Sequence, residues 1–221
     1  MIGQLSKEEV NRKLLHVLAV ILPFSIFYGP LYANLPRYYA CVIIFLLLFC
    51  SLLIEFFRLR KSAFANWFSN SFGSMMRNEE SNQLTGATYV LGGSAICSVT
   101  SLHSELASVC SFLCLTLFVL GDAAAAIVGK AIGRIKIGKK TVEGGIGCFL
   151  VCVLLAGMLF PSLPLFSQLW GGSITLIQIL IISAAVSILE FFPIKWNAYT
   201  LNDNLYVPGV CAVIAFFVNS L

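Results

Sequence analysis

Seven apolar runs of similar length follow one another along the chain, and they constrain its fold more than any other feature. A helix needs about 20 residues to cross about 30 Å of hydrocarbon, and each run is close to that length. The runs cover residues 14–29, 38–57, 85–102, 106–127, 145–160, 174–192 and 205–221. We therefore predict an all-α, polytopic membrane bundle with about seven transmembrane helices.

The composition supports this class. Of the 221 residues, 59% are hydrophobic and 11% are charged, and the mean hydropathy is +0.92. So few polar residues cannot cover a soluble globule of this size. No linker or internal repeat divides the chain, so we expect a single integral membrane domain over residues 1–221.

The distribution of Lys and Arg predicts the orientation. When successive loops are assigned alternately to the two sides of the membrane, 13 of the 14 Lys and Arg residues fall on the side that holds the N-terminus. The other side has only Arg37. Because cytoplasmic loops are rich in Lys and Arg, we expect a multi-pass protein with a cytoplasmic N-terminus and an external C-terminus.

The segment from Gly121 to Gly144 combines acids, glycines and cations at the end of one apolar run. An ionisable residue in or beside a bilayer costs free energy and is therefore a functional candidate. Glycine lets a backbone approach a ligand, Lys and Arg bind phosphate, and Asp and Glu can hold Mg²⁺. The segment thus predicts a nucleotide-phosphate site, with Asp122 and Glu143 as candidate metal ligands. Its other candidate residues are Gly121, Gly129, Lys130, Gly133, Arg134, Lys139, Lys140, Thr141 and Gly144.

The same segment predicts local structure. If the glycines break the helix after Val128, residues 133–138 form a flexible basic loop. Thr141 then begins the next helix, whose free N–H groups attract phosphate. The alternative interpretation is that the cations only anchor the topology and the glycines only break helices.

Polar residues also lie at the starts of the first and the last apolar runs. At the first run, steps of three and four place Glu9, either Arg12 or Lys13, and His16 on one helical face. Each group also has a purely structural interpretation. In the first group, the cations anchor the topology and the histidine is a packing residue. The last group caps a helix that has a proline in its first turn. The residues are Arg12, Lys13 and His16 in the first group, and Asp203, Asn204 and Pro208 in the second.

The remaining polar features predict structural roles. Two isolated acids near cytoplasmic ends of runs favour simple ion pairs, Glu55 with Arg58 and Glu190 with Lys195. Aromatic residues in segment 63–77 recur at helical spacing, which is typical of an interfacial helix or of a loop packed on the bundle. All eight cysteines lie in apolar runs without a C-x-x-C pair, so we interpret them as packing residues.

Several motifs follow one another in order along the chain. The densest set is Gly121-Asp122, Ala126, Gly129-Lys130, Gly133 and Lys140-Thr141-x-Glu143-Gly144. Further elements are Arg12-Lys13 before His16, Thr85-Gly86 after the interfacial loop, and Asp203-Asn204-Leu205-x-x-Pro208. Together these motifs resemble the family of CTP-dependent lipid kinases, which includes dolichol, phytol and diacylglycerol kinases and is related to the phosphatidate cytidylyltransferases.

The resemblance implies a lipid kinase domain that uses CTP and Mg²⁺ to phosphorylate a lipid alcohol. In such an enzyme Asp122, together with Glu143, holds Mg²⁺, and Thr85 and Gly86 border the lipid headgroup. The general base stays open among Asp203, Glu143 and His16. The cations expected to neutralise the triphosphate are Lys130, Arg134, Lys139 and Lys140.

Two other functions stay open at this point. A CTP:phosphatidate cytidylyltransferase is less favoured, because its His-Gly-Gly and Asp-Arg-x-Asp elements are missing from the sequence. A small transporter could use Asp122, Glu55 and Glu190 as a cation or proton pathway. The expected partners of the kinase are CTP, a lipid alcohol and the bilayer, without nucleic acid, and the sequence does not distinguish dolichol, undecaprenol, phytol or diacylglycerol as acceptor.

The charge distribution makes a testable topological prediction. Reporter domains fused after Lys61, Lys136 or Lys195 should report a cytoplasmic location, and one fused after Leu221 an external one. An external signal from the Lys136 fusion would separate the phosphate site from cytosolic nucleotides and contradict the predicted orientation.

Overall fold

The computed structural model describes residues 14–76, 78–196 and 199–221, so the predicted site residues Arg12 and Lys13 lie outside the described residues. Residues 14–18 are helical and lead through a turn into the first helix named here. The helices are α1 (Ile21–Ala33), α2 (Tyr38–Arg60), α3 (Ser62–Phe72), α4 (Gly86–Thr100), α5 (Glu105–Ile132), α6 (Val142–Leu154), α7 (Phe166–Trp170), α8 (Leu176–Phe191) and α9 (Asp203–Val218). Leu155–Leu159 continues α6 as a π-helix, and short 3₁₀ turns are Gly73–Met75, Asn78–Asn82 and Phe160–Ser162.

The prediction of an all-α membrane bundle is confirmed at the level of helix length and composition. Four helical stretches of the described chain are long and apolar enough to cross a membrane: Leu14–Ala33, Tyr38–Arg60, Glu105–Ile132 and Val142–Ser162. The helices α8 and α9 are apolar but shorter. Many large apolar side chains of α2 are exposed, as a lipid-facing helix requires.

Helix α5 forms the centre of the bundle. It is 28 residues long and contacts α1, α4, α6, α8 and α9. Its N-terminal half, from Ala107 to Val119, is buried throughout. Ser104 caps its start by accepting a hydrogen bond from the Ala107 N–H at 3.0 Å.

The predicted helix break after Val128 is wrong, because α5 continues through Gly129 to Ile132. The glycines serve a close contact between α5 and α6 instead. A Cβ atom on Gly129 would lie 2.5 Å from Thr141 Oγ1, and one on Gly144 would lie 2.6 Å from the Ala125 carbonyl oxygen. Small residues allow two membrane helices to approach in this way.

The predicted flexible loop is a short antiparallel hairpin. Strand β1 (Lys136–Ile137) pairs with β2 (Lys140–Thr141), and Gly138 at the turn has a φ of +63°, which favours glycine. Thr141 then caps α6 by accepting from the Gly144 N–H at 3.2 Å, so the predicted helix start is confirmed. A second hairpin, β3 (Lys195–Trp196) with β4 (Tyr199–Thr200), precedes α9.

Polar contacts between helices gather at the two ends of the bundle. At one end, which we call the acidic end, they join His16 to Asp122, Glu55 to Thr85, and Lys140 to Glu190 and Asp203. At the opposite end, they join Tyr28 to Pro164, Arg37 to Glu105, and Gln178 to Asn219.

Segment 62–72, at the acidic end, forms the helix α3. None of its residues is buried, as expected of an interfacial helix.

The glycine contact generates a stability prediction. Alanine normally favours a helix over glycine by about 1 kcal/mol, but Gly129→Ala should lower the unfolding temperature because its methyl group collides with the Thr141 cap. The matched control is Gly157→Ala, whose methyl group would meet Ile179 Cδ1 at an ordinary 3.6 Å. Thermal unfolding in detergent measures both, and equal unfolding temperatures would refute the packing role of Gly129.

Candidate functional site

Two segments that are remote in the sequence meet at Asp122. This aspartate lies in the C-terminal half of α5, and its Oδ2 atom is 3.2 Å from Nε2 of His16. Both side chains are mostly buried, with 13% of His16 and 19% of Asp122 exposed. A carboxylate beside an imidazole fixes the ring and stabilises its protonated form. The structure therefore brings together two of the predicted catalytic residues.

Lys140 forms the second part of the site. Its ammonium group donates to Glu190 Oε1 at 2.6 Å, to Asp203 Oδ2 at 2.9 Å and to the backbone carbonyl of Glu190. A lysine ammonium has three N–H donors, and these contacts use all three. Lys140 thereby fastens β2 to the end of α8 and the start of α9.

The charge of Lys140 is stable in this environment. Burial alone lowers the pKa of the ammonium, but the charges of Glu190 and Asp203 and their hydrogen bonds outweigh burial and hold that pKa above its usual range. Lys140 therefore stays protonated throughout the neutral pH range.

The two parts of the site interact with each other electrostatically. Both Asp122 and Asp203 lie close enough to Glu190 for their charges to act on its carboxylate. The three carboxylates outnumber the two groups that can carry positive charge, Lys140 and His16, so the site has an excess of negative charge even when His16 is protonated. Such a site favours a ligand that brings positive charge or a hydrogen-bond donor.

Glu143, predicted as a second metal ligand, lies apart from Asp122. Its carboxylate accepts from the backbone N–H of Ile135 at 3.2 and 3.3 Å and so holds the hairpin against the start of α6. The packing of Gly129 on Gly144 fixes the register of the two helices. Asp122 precedes Gly129 by two helical turns, about 10 Å along the axis.

Apart from Lys140, the predicted phosphate-binding residues fall into two groups. Lys130, Arg134 and Lys139 are exposed on the end of α5 and on the hairpin, where a polyphosphate can reach them. The glycines and Thr141 lie between α5 and α6. A Cβ atom on Gly133 would lie 2.8 Å from Thr141 Cγ2, and one on Gly121 would lie 2.8 Å from Cys148 Sγ. The space beside these glycines is therefore filled by other atoms of the protein.

Asn204 occupies a close contact between α9 and α4. The cap of α9 is Asn202, which accepts from the Asn204 N–H at 3.1 Å, and Pro208 lies in the second turn and not, as predicted, in the first. Because proline has no N–H, the Asn204 carbonyl lacks its helical donor. That oxygen would lie 2.1 Å from a Cβ atom on Gly93, so only glycine fits there.

Thr85 and Gly86, predicted to border a lipid headgroup, belong to a separate polar cluster. Glu55 Oε1 accepts from the backbone N–H of Thr85 at 2.8 Å and from its hydroxyl at 2.6 Å. The Gly86 N–H donates to Glu80 at 3.2 Å. Arg58 donates to Glu55 Oε2 at 2.7 Å, which confirms the predicted Glu55–Arg58 pair.

Glu190 is the residue of the site that sequence reasoning missed. We predicted a pair with Lys195, whose side chain is outside the described part, but the carboxylate binds Lys140. The available signal was an acid at the end of an apolar run, which is costly unless it has a function or a partner. Only the fold shows that this partner comes from a hairpin 50 residues earlier.

The residues present are compatible with Mg²⁺ bound as a nucleotide complex. No group of three or more His, Cys, Asp or Glu positioned for a metal occurs in the described residues. Mg²⁺ at a nucleotide site needs only one or two carboxylates, because phosphates and water supply its other ligands. The donor chemistry of Asp122, a partly buried carboxylate, meets this requirement.

One groove lies away from these clusters. It has a volume of about 460 Å³ and is lined by Tyr38, Cys41, Val42, Phe45, Leu46, Phe49 and Leu102. These residues belong to the opposite half of α2 and to the turn after α4, and most of them are exposed apolar side chains. The groove therefore does not contribute to the polar site.

Comparison with known proteins gives one relative. The chain is similar to an uncharacterized protein of Rickettsia prowazekii (strain Madrid E), with 25% identity over 203 residues, which cover 90% of this chain and 89% of the relative. No family model matches the chain, and no solved structure matches it.

Proposed function

We propose that this chain is a lipid kinase that transfers the γ-phosphate of CTP to the hydroxyl group of a membrane lipid, such as a polyprenol, phytol or diacylglycerol. The observation that carries the proposal is the meeting of His16, Asp122, Lys140, Glu190 and Asp203 at one end of the bundle. Three of the segments with family resemblance contribute to this site, although they are remote in the sequence.

The proposal includes seven transmembrane helices and a cytoplasmic site. Each predicted apolar run contains a helix of the described structure, and the contacts between helix ends fall into two sets. Both observations support a chain that crosses the membrane seven times. The excess of Lys and Arg at the acidic end supports a cytoplasmic location for that end.

Each group of residues has a role in the proposed reaction. The exposed cations Lys130, Arg134 and Lys139 bind the phosphates at the rim, and Asp122 contributes a ligand to Mg²⁺. When bound, Mg²⁺ neutralises charge on the transferred phosphoryl group. Because its donors are used within the protein, Lys140 holds Glu190 and Asp203 in position. His16 orients the Asp122 carboxylate.

The position of the site suits a lipid alcohol. Glu190 and Asp203 lie at the ends of the apolar helices α8 and α9, so a lipid can place its hydroxyl group there while its tail stays in hydrocarbon. Phosphoryl transfer depends mainly on in-line positioning and charge neutralisation.

The direct test uses CTP labelled at either the α- or the γ-phosphate. Purified protein is incubated with Mg²⁺ and a mixture of polyprenol, phytol, diacylglycerol and phosphatidate, and we expect γ-label in lipid together with free CDP. Entry of the α-label with release of pyrophosphate would make the protein a cytidylyltransferase. If neither label enters lipid, and proteoliposomes show proton or cation flux, the transporter alternative replaces the kinase.

Substitution of Asp122 tests the metal role. Asp122→Asn keeps the size of the side chain but removes the charge that Mg²⁺ needs, so we expect γ-transfer to fall by about 100-fold or more. The matched control is Glu105→Gln, which removes a carboxylate of the ion pair with Arg37 at the opposite end and should leave turnover unchanged. Mg²⁺-dependent CTP binding, measured on both variants, should weaken only for Asp122→Asn. Normal turnover of that variant at saturating Mg²⁺ would refute the assignment.

A further inference from the structure

Glu190 has an oxygen atom whose surroundings are unusual for a buried carboxylate. The residue is only 2% exposed. Its Oε1 atom is bound by Lys140, whereas Oε2 is buried and has no hydrogen-bond partner within the described residues. A buried acceptor without a donor loses its hydrogen bonds to water and gains none in return, so such an atom calls for a ligand or a functional explanation.

The surroundings of Oε2 limit the chemistry of that ligand. The charges of Asp122 and Asp203 act on Glu190, and this negative field disfavours a phosphate group as the direct partner of Oε2. A neutral hydroxyl group on an apolar tail fits, because it donates one hydrogen bond and its tail remains beside the apolar helix α8. The side chains of Lys140, which binds Glu190, and of Asp203, which binds Lys140, are 26% and 23% exposed, so the cluster lies close to the surface.

We propose that Glu190 Oε2 binds the hydroxyl group of the lipid acceptor and takes its proton during transfer. This inference rests on the proposed kinase function. The oxygen of the alcohol forms a bond to the γ-phosphorus of CTP as the bond from that phosphorus to the β,γ-bridging oxygen breaks. The electron pair of the broken bond leaves with CDP, and the hydroxyl proton passes to Glu190 Oε2 and then to water.

Lys140 and Asp203 are positioning residues in this scheme. The ammonium fixes one oxygen of Glu190, so that the other can face the acceptor, and the backbone carbonyl of Glu190 is held by the same group. Asp203 forms a second ion pair with Lys140 and keeps the ammonium at the junction of β2, α8 and α9. Asp203 does not itself need to reach the alcohol.

The test is the substitution Glu190→Gln. Glutamine keeps the shape and an oxygen for Lys140 but cannot take a proton, so kcat should fall by about 10²–10³-fold. Equilibrium binding of Mg²⁺-CTP and its KM should stay within about twofold, because the nucleotide contacts are elsewhere. The matched control is again Glu105→Gln, a carboxylate-to-amide change at the opposite end.

A second variant covers the case in which Glu190→Gln does not fold. Glu190→Asp keeps the charge and the pairing with Lys140 but withdraws the carboxylate by one methylene group, and a displacement of about 1 Å can cost about 100-fold in rate. We expect a folded protein with normal nucleotide binding and kcat reduced by about 10–100-fold.

The outcomes separate this inference from the proposed function. If the unchanged protein transfers γ-label but Glu190→Gln or Glu190→Asp keeps a kcat within about threefold of it, the proton-acceptor role is overturned and the kinase function stands. That result is expected if Glu190 has only a structural role or is already protonated, because glutamine closely mimics a neutral carboxyl group. If the unchanged protein transfers no label, the proposed function itself fails.

Discussion

The acidic end of the bundle depends on the hydrogen bonds and ion pairs of the Lys140 ammonium group. It joins a hairpin between α5 and α6 to the end of α8 and the start of α9. Burying Glu190 is costly, and the attraction of a fully hydrogen-bonded cation offsets that cost. Without this cation, the carboxylates of Glu190 and Asp203 would repel each other, and so would the ends of α8 and α9. The shape of the site and its charge balance therefore follow from one residue.

The helices of this fold could be predicted from the sequence because each depends on local properties. Apolar runs of spanning length predict the helices around residues 38–57 and 106–127, and Thr141 predicts the start of α6. The contacts of the site could not be predicted in the same way. The pairs His16–Asp122 and Lys140–Glu190 depend on which helices are neighbours, and hydrophobic periodicity does not encode that arrangement.

The glycines explain why the central motif could be misread. A glycine that lets a ligand approach and a glycine that lets a helix approach look identical in a sequence, since both lack only the Cβ atom. Gly129 and Gly144 face each other across α5 and α6, so the helix continues where a break was expected. The motif thus contains two kinds of residue: glycines that allow the helices to pack, and Lys, Arg and Asp residues that carry charge.

The charged residues of the acidic end form two groups, and this division suits the proposed transfer of a phosphoryl group between two unlike substrates. The exposed cations lie at the rim, on the end of α5 and on the hairpin, whereas the carboxylates lie deeper, at the ends of apolar helices. In the proposed kinase, a polyphosphate binds at the rim, and an alcohol with an apolar tail binds beside the carboxylates. The two substrates then meet where the exposed cations adjoin the carboxylates. Asp122 on α5 and Glu190 on α8 lie close enough there to act on each other electrostatically, so one can face the phosphates and the other the hydroxyl group.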